Sequence, residues 1–487
     1  MVAGGTPYCS EEYERSYREV EIPFCEALAV ANETEGLCSE STNFKTENGA
    51  ESELLKKDAG KKEGVTNRQR IILVTLAFGH FCVGASISLQ APFFPHEAER
   101  KGATPTQYGF VFSVFELTIF FVAPLFGKIV ALVRPKFMLM TGLFWVGAAS
   151  ILFGSLIACP AGKPFLYLAI AIRVVEGLGT AAFQTAVFTI VAAEFPTSVA
   201  TVYSIQQTVF GTGLVAGPTI GGALYQLAGF ALPFVVIGAL MLISAIIIYY
   251  LLPPPEELID CSNKTGQLLK FWCNIGVLLN AYAIFTTFLI IGFNSAVLEP
   301  HLRQFNLQPV VLGLIFVLNG SVYASTAWIW GRLADKTVWT DQLTVAGCVL
   351  LAISLLLFGP APFINSDTKI WMVMLGLAVF GSGSGGAIVC PFVGSLRDTL
   401  ARGFPDDLST YGLVSSLFTS SHSMGAFVGP TLGGYLFESL GYRWGSMLFF
   451  MNVIVLIIAY CVFMLVKRCS QKARAPLLKG VQWRRQL

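Results

Sequence analysis

From Ile71 to Val466 the chain is a succession of long apolar stretches broken by short polar turns. Each stretch is long enough to cross a bilayer core of ~30 Å, which takes ~20 mostly apolar residues. Lipid offers no hydrogen-bond partners, so the backbone must pair within each segment and each is expected to be helical. The pattern predicts twelve helices, at 71–94, 107–127, 137–158, 165–193, 199–227, 231–252, 271–298, 310–330, 343–359, 370–396, 409–437 and 444–466. Turn signals separate them, among them Pro160-Ala161-Gly162, Pro253-Pro254-Pro255, Gly359-Pro360 and Phe404-Pro405-Asp406-Asp407. The fold class is an all-α membrane protein. Twelve spans exceed what an anchor needs, so they are expected to enclose something polar that has to cross.

Composition agrees: 54% of residues are hydrophobic and 13% charged, against ~25% charged in soluble domains. The acidic residues are uneven, with 12 Glu and three basic residues between Met1 and Leu55. That segment reads as a disordered acidic tail. It has no basic region leading into an apolar core, so no cleavable signal peptide is expected. Placing both termini in the cytoplasm puts 22 Lys and Arg in the inner loops and adjoining tails and six in the outer loops, as the positive-inside rule requires. The sequons at Asn32 and Asn263 then face the cytosol, and Asn319 lies within a span. The expected divisions are an acidic tail at 1–68, a six-helix bundle at 69–252, a cytoplasmic loop at 253–270, a second six-helix bundle at 271–466 and a basic tail at 467–487. The 11 cysteines are scattered and show no metal-ligand spacing. No metal or cofactor is expected.

The chain repeats itself. Gly213-xxx-Gly217-Pro218-Thr-Ile-Gly221-Gly222 in the fifth helix returns 212 residues later as Gly425-xxx-Gly429-Pro430-Thr-Leu-Gly433-Gly434 in the eleventh. Glycines four apart let a second backbone approach closely, and proline bends the helix. One copy is an ordinary packing motif. Two copies at matching places imply pseudo-symmetric halves, an arrangement common in transporters, with the substrate site between the repeats at the midplane.

These residues resemble the major facilitator superfamily across nearly the whole membrane region. Gly213 to Gly222 is similar to its antiporter motif, Ala171-Ile172-Arg173-Val174-Val175-Glu176-Gly177-Leu178-Gly179-Thr180 to its helix 4 motif, and Gly331-Arg332-Leu333-Ala334-Asp335-Lys336 to its helix 8–9 loop motif. In the first half Ala131 stands where the family has an acid, so gating is expected to rest more on the second half. A narrower resemblance is to the vesicular amine transporter family, in its polyamine-transporter-like branch. It is carried by Ala91-Pro92-Phe93-Phe94-Pro95-His96-Glu97-Ala98-Glu99-Arg100-Lys101-Gly102-Ala103, Phe115-Glu116-Leu117, Arg303-Gln304-Phe305-Asn306-Leu307 and Tyr411-Gly412-Leu413-Val414-Ser415. The first helix lacks the acid that the family's monoamine carriers use, which speaks against a monoamine substrate.

A charge within a span costs ~2.5–3.5 kcal/mol on insertion scales, so each needs a reason. Arg173 and Glu176 are three residues apart on one helix face and can screen each other. With Thr180 and Gln184 they form a stripe expected to line the central cavity. The pair is read either as proton-responsive or as a static pair that fixes packing. Glu116 is the other deep acid, read as a proton-binding carboxyl or as a neutral acid bonded within the bundle. Glu299 at the outer end of helix 7 is a candidate partner for an ammonium group, with Asn294 on a polar stripe and Tyr282 offering a ring face; a solvated helix end and ordinary packing are the alternatives. His80 titrates in the physiological range or is a hydrogen-bonded structural histidine. His422 is a weaker cavity candidate. Asp335 is expected to latch one gate state through Arg332, Lys336 or a helix dipole.

The leading function is therefore a proton-coupled antiporter that loads organic cations, polyamines or related amines, into an acidic vesicle by alternating access. Its expected partners are a small cationic substrate, protons and the bilayer, without nucleic acid, and the chain is expected to be a monomer. The alternatives are a uniporter or broad exporter at the plasma membrane, and a non-transporting sensor or scaffold. Tyr17-Arg18-Glu19-Val20, Leu54-Leu55 and Leu477-Leu478 are candidate sorting signals. An enzyme is the least expected class: no nucleotide loop or nucleophile elbow is present, and Gly381-Ser382-Gly383-Ser384-Gly385 falls within a helix.

Overall fold

The computed structural model describes residues 66–252, 271, 273–306, 309–359 and 368–484. The acidic tail before Thr66, the central loop at 253–270, the sequons at Asn32 and Asn263, the motifs at Tyr17 and Leu54, and the side chains from Ser470 onward lie outside the described residues.

Ten helices come first: α1 (Asn67–Arg100), α2 (Pro105–Val133), α3 (Pro135–Gly154), α4 (Lys163–Glu194), α5 (Val199–Ala228), α6 (Ala231–Leu251), α7 (Ile275–Leu302), α8 (Pro309–Lys336), α9 (Thr340–Phe358) and α10 (Ile370–Ala401). A helical run at Leu408–Arg484 follows. It is broken at Gly441 (φ 78°, ψ 169°), a conformation that suits a residue without Cβ. The break divides it into α11 (408–440) and α12 (442–484).

Local chemistry sets several starts. Thr66 and Gln69 form a capping box on α1, Thr104 and Gln107 form another on α2, and Asn274 accepts from Val277 N at the start of α7. Each satisfies backbone donors that the helix leaves unpaired. The first span was expected to end at residue 94; instead α1 continues through Pro92 and Pro95 to Arg100. Its end is held by the turn between α3 and α4, where Lys101 Nζ donates to Ile157 O (2.8 Å) and Cys159 O (2.6 Å).

Nine of the described helical stretches are long and apolar enough to cross a membrane, with α11 and α12 counted as one. The two that are not among them are α5 and α8. These helices pack against each other, and α5 carries Gln206, Gln207, Gly213, Gly217 and Gly221, which protein, rather than lipid, covers. Elsewhere large apolar side chains face outward, such as Val74, Phe121, Leu132 and Leu152, an exposure that only a lipid surround makes ordinary.

The helices fall into two sets with the same pairings. In the first, α1 packs on α5, α2 on α4, and α3 on α4 and α6; in the second, α7 packs on α11, α8 on α10, and α9 on α10 and α12. The repeated glycines explain one pairing in each. A Cβ on Gly213 would strike Phe81 O, and one on Gly217 would meet Ala85 O at 2.6 Å; Gly425 and Gly429 press in the same way on Phe285 O and Leu289 O of α7. Pro218 lies in that stretch of α5 and Pro430 in the matching stretch of α11, its Cδ against Gly292 of α7. The repeated motif therefore locks each set internally and does not form the boundary between sets.

Because backbone atoms cannot move aside, Gly213→Val and Gly425→Val are expected to cost more than the ~1–3 kcal/mol of ordinary overpacking. Gly211→Ala and Gly434→Ala, which have nothing within 4 Å, should be close to neutral. Thermal melting of the detergent-solubilised variants by fluorescence-detected chromatography checks this, with the first two losing the folded peak at temperatures the controls withstand.

Candidate functional site

Two seams join the six-helix sets. The end where α1 begins and α12 finishes is here termed the terminal face. Near it Gly127 of α2 meets Gly412 and Ser416 of α11 so closely that a Cβ on either glycine would overlap its neighbour. In the other seam Gly331 of α8 lies against α5, where an added Cβ would stand 2.7 Å from Ala200 O and 2.8 Å from Ser204 Oγ. Between the seams Phe188, Tyr203, Phe392 and Phe418, two from each set, pack as a buried aromatic plug with ring centroids 4.4–5.8 Å apart. The terminal face is thereby closed.

Asp335 is part of this closure. Its carboxylate accepts from Ala200 N (2.9 Å), Thr201 N (2.8 Å) and Thr201 Oγ1 (2.6 Å) at the start of α5. Ser198, at the N-cap position of α5, makes no side-chain cap bond, so this helix is capped by an acid from the opposite set. Of the partners considered for Asp335, the helix N-terminus is the one in place; Arg332 instead stacks on Trp328, 3.8 Å from its ring centroid. Arg397 of α10 closes the end of α8 through Thr337 O (2.7 Å) and Ala334 O (2.8 Å). The other seam differs: α11 is capped by its own Asp407, which accepts from Thr410 N at 2.8 Å.

The middle of the seam between α2 and α11 is polar. Ser420 Oγ donates to Phe120 O at 3.0 Å across it. One turn further along α2, Glu116 lies half-buried beside Ser423. It makes no ion pair among the described residues, although it is within electrostatic reach of Arg173. His422 stacks on Phe288 of α7 at 3.7 Å.

Arg173 and Glu176 form a 2.8 Å ion pair with 3% and 0% of their side-chain surfaces exposed. Gln90 of α1 donates to both Glu176 oxygens (3.1 and 2.9 Å) and Ser86 adds a longer bond at 3.4 Å. Arg173 Nε donates to Val111 O of α2 at 3.4 Å, and its guanidinium sits 4.1 Å from the Phe115 ring centroid. The expectation that this face lines an open cavity is corrected: α1 and α2 cover it, and Thr180 and Gln184 are buried as well. His80 is likewise enclosed, bonded to Gln206 at 3.1 Å and ringed by Phe183, Phe188 and Phe210.

Other substrate candidates are also relocated. Both Glu299 oxygens are taken by Arg303 (2.9 and 2.8 Å) in an exposed i,i+4 pair, so this carboxylate already has its cation. Tyr282 directs its hydroxyl to Asn452 of α12. Asn294 accepts from Tyr442 of α12 at 3.2 Å. The stripe on α7 is therefore turned into its own six-helix set. Sequence reasoning missed Ser86 and Gln90, whose i,i+4 spacing on α1 was the available signal. It also missed the plug and a cluster in which Lys467 lies 3.5 Å from Asp341 and 3.6 Å from Asp398; nothing local in the sequence brings those three together.

Comparison with known proteins defines the class. The sequence model of the Major Facilitator Superfamily matches residues 76–409, and the chain belongs to that superfamily of transporters. It is 34% identical to the human MFS-type transporter SLC18B1 over 394 residues, 80% of this chain and 85% of that protein. It is 25% identical over 302 residues to the human synaptic vesicular amine transporter, covering 60% of this chain and 55% of that one. The crystal structure of the human organic anion transporter MFSD10 aligns with a TM-score of 0.66 at 15% identity, over 81% of this chain and all of that one, which shows the shared fold.

Removing the cross-seam cap should favour opening of the terminal face. Asp335→Ala is expected to shift that equilibrium by about 1–2 kcal/mol, roughly 5–30-fold. Spin labels at Lys128 and Val338, on opposite sets, should report a larger long-distance population in double electron–electron resonance.

Proposed function

We propose that the protein is a proton-coupled antiporter that moves organic cations, polyamines or related amines, from the cytoplasm into a vesicle. The observation that carries this reading is Glu116. It is a half-buried carboxylate in the seam between the two six-helix sets, without an ion-pair partner among the described residues. It lies about 16 Å along α2 from the end opposite the terminal face, by the 1.5 Å rise per residue, near the depth where repeat-built transporters hold substrate. An unpaired negative charge at that depth is expensive, and an ammonium group or a proton neutralises it. Competition between the two for one carboxylate is a direct way to couple their opposite movements.

The positive-inside rule places the terminal face in the cytoplasm. The conformation described is then closed to the cytoplasm by the glycine seams, the Asp335 cap and the aromatic plug. The Arg173–Glu176 pair is a second proton-responsive unit: adding a proton to Glu176 weakens its hold on Arg173, which Glu116 is placed to attract. The resemblance to the vesicular amine family and the name of the synaptic relative support a vesicular amine as cargo.

The test uses purified protein in liposomes with an acid interior, offered labelled spermidine, spermine and monoamines. Polyamine uptake that a protonophore abolishes is expected, and uptake indifferent to the gradient selects a uniporter instead. Glu116→Gln should lower uptake by about 10–100-fold, the weight of a hydrogen-bonded charged partner, with an unchanged chromatographic profile.

A further inference from the structure

The protein leaves a line of buried polar atoms without partners between α1 and α4. Gln90 Oε1, Thr180 Oγ1, Gln184 Oε1 and His80 Nε2 are all enclosed and have no hydrogen bond among the described residues. The roles of two of them are fixed by their neighbours. Gln90 Nε2 faces the Glu176 carboxylate, which only accepts, so the amide cannot be turned over and Oε1 remains the bare atom. Gln206 Nε2 donates to Leu73 O at 3.3 Å, so Gln206 Oε1 accepts from His80 Nδ1. The histidine proton is then on Nδ1, and Nε2 presents a lone pair.

These atoms form a path. Gln90 touches Glu176. Thr180 and Gln184 follow one and two turns along α4, about 12 Å in all, each step of four residues turning the face by about 40°. One further step of four reaches Phe188, whose ring belongs to the plug at the seam. His80 lies beside this stretch, 5.2 Å from Phe183 and 5.6 Å from Phe188 by ring centroids. A buried polar atom without a partner is costly, and four in one line call for partners that the described residues do not supply. Small donors with several hydrogen-bonding arms meet the need, and waters that satisfy such groups commonly form part of a protein interior.

We infer that a file of ordered water runs along α4 from the seam to Glu176 and carries protons to the Arg173–Glu176 pair. This rests on the proton-coupled reading above. A proton entering at Gln184 is relayed through the file and adds to a Glu176 oxygen, and it leaves by the reverse path. The charged and titratable groups around the route are Arg173, Glu176 and His80, with Glu116 beyond Arg173 and Tyr203 against Phe188 at the seam end. The remaining walls are Phe183, Phe188 and Phe210 with the amides of Gln90, Gln184 and Gln206.

X-ray radiolytic labelling of the wild-type protein in nanodiscs tests the file directly, since activated ordered water oxidises side chains that bulk solvent cannot reach. Phe183 is expected to be labelled at least about tenfold faster than Phe234, which is equally buried but distant from the path. Thr180→Val keeps the side-chain shape and should lower Phe183 labelling. In liposomes the same variant should lower gradient-driven spermidine uptake about tenfold, the weight of one lost hydrogen bond, and amine-for-amine exchange without a gradient much less. A Phe183 as inert as Phe234 overturns the file, whatever the transporter is coupled to. Gradient-driven uptake unchanged in Thr180→Val overturns its role as a route. Labelled Phe183 in a wild-type protein whose uptake ignores the gradient upholds the file and overturns the coupling.

Discussion

A membrane interior supplies no hydrogen bonds, and most of what this protein looks like follows from that constraint. It makes the spans helical and leaves each buried charge in need of a partner inside the chain. Arg173 is met by Glu176, by a carbonyl of α2 and by the face of Phe115. Glu176 is met in turn by two side chains of α1. One ion pair thus draws three helices together at mid-depth, and its geometry depends on all of them. Glu116 stands beside Ser423 and makes no ion pair among the described residues, which sets the seam apart chemically.

Much of the architecture was legible in the sequence because it is written in local patterns. Apolar length gave the helices, and the recurrence of Gly213–Pro218 as Gly425–Pro430 exposed the duplicated layout. The spacing of Arg173 and Glu176 implied their adjacency. What was not legible depends on how far each helix is rotated about its axis. The polar positions of α7 were expected to face substrate, yet Asn294 and Tyr282 turn toward α12, a choice made by packing and invisible in spacing. The pairing of Glu299 with Arg303 four residues later was open to inspection and outweighs its placement near a cavity mouth. The end of α1 was also set too early, since the helix continues past residue 94 and through Pro95 to Arg100.

The duplicated motif and the seams do different work. Gly213, Gly217, Gly425 and Gly429 let helices fuse within a set, where movement would be destructive. Gly127, Gly331 and Gly412 let helices touch across the seams, which the proposed alternating access requires to separate. The same residue type thus serves permanence in one place and reversible contact in another. The distinction lies in what surrounds each close approach, because only the cross-seam contacts can part without opening the interior of a six-helix set.

Capping is where the duplication ends. The start of α11 carries its own acid, Asp407, so it keeps that cap however far α2 withdraws. The start of α5 borrows Asp335 from the other side and would surrender three hydrogen bonds if α8 withdrew. Two contacts at matching places in the repeat are therefore unequal in strength: under the proposed alternating access the protein should swing like a door, pivoting on its firmer jamb and releasing last where the borrowed carboxylate holds.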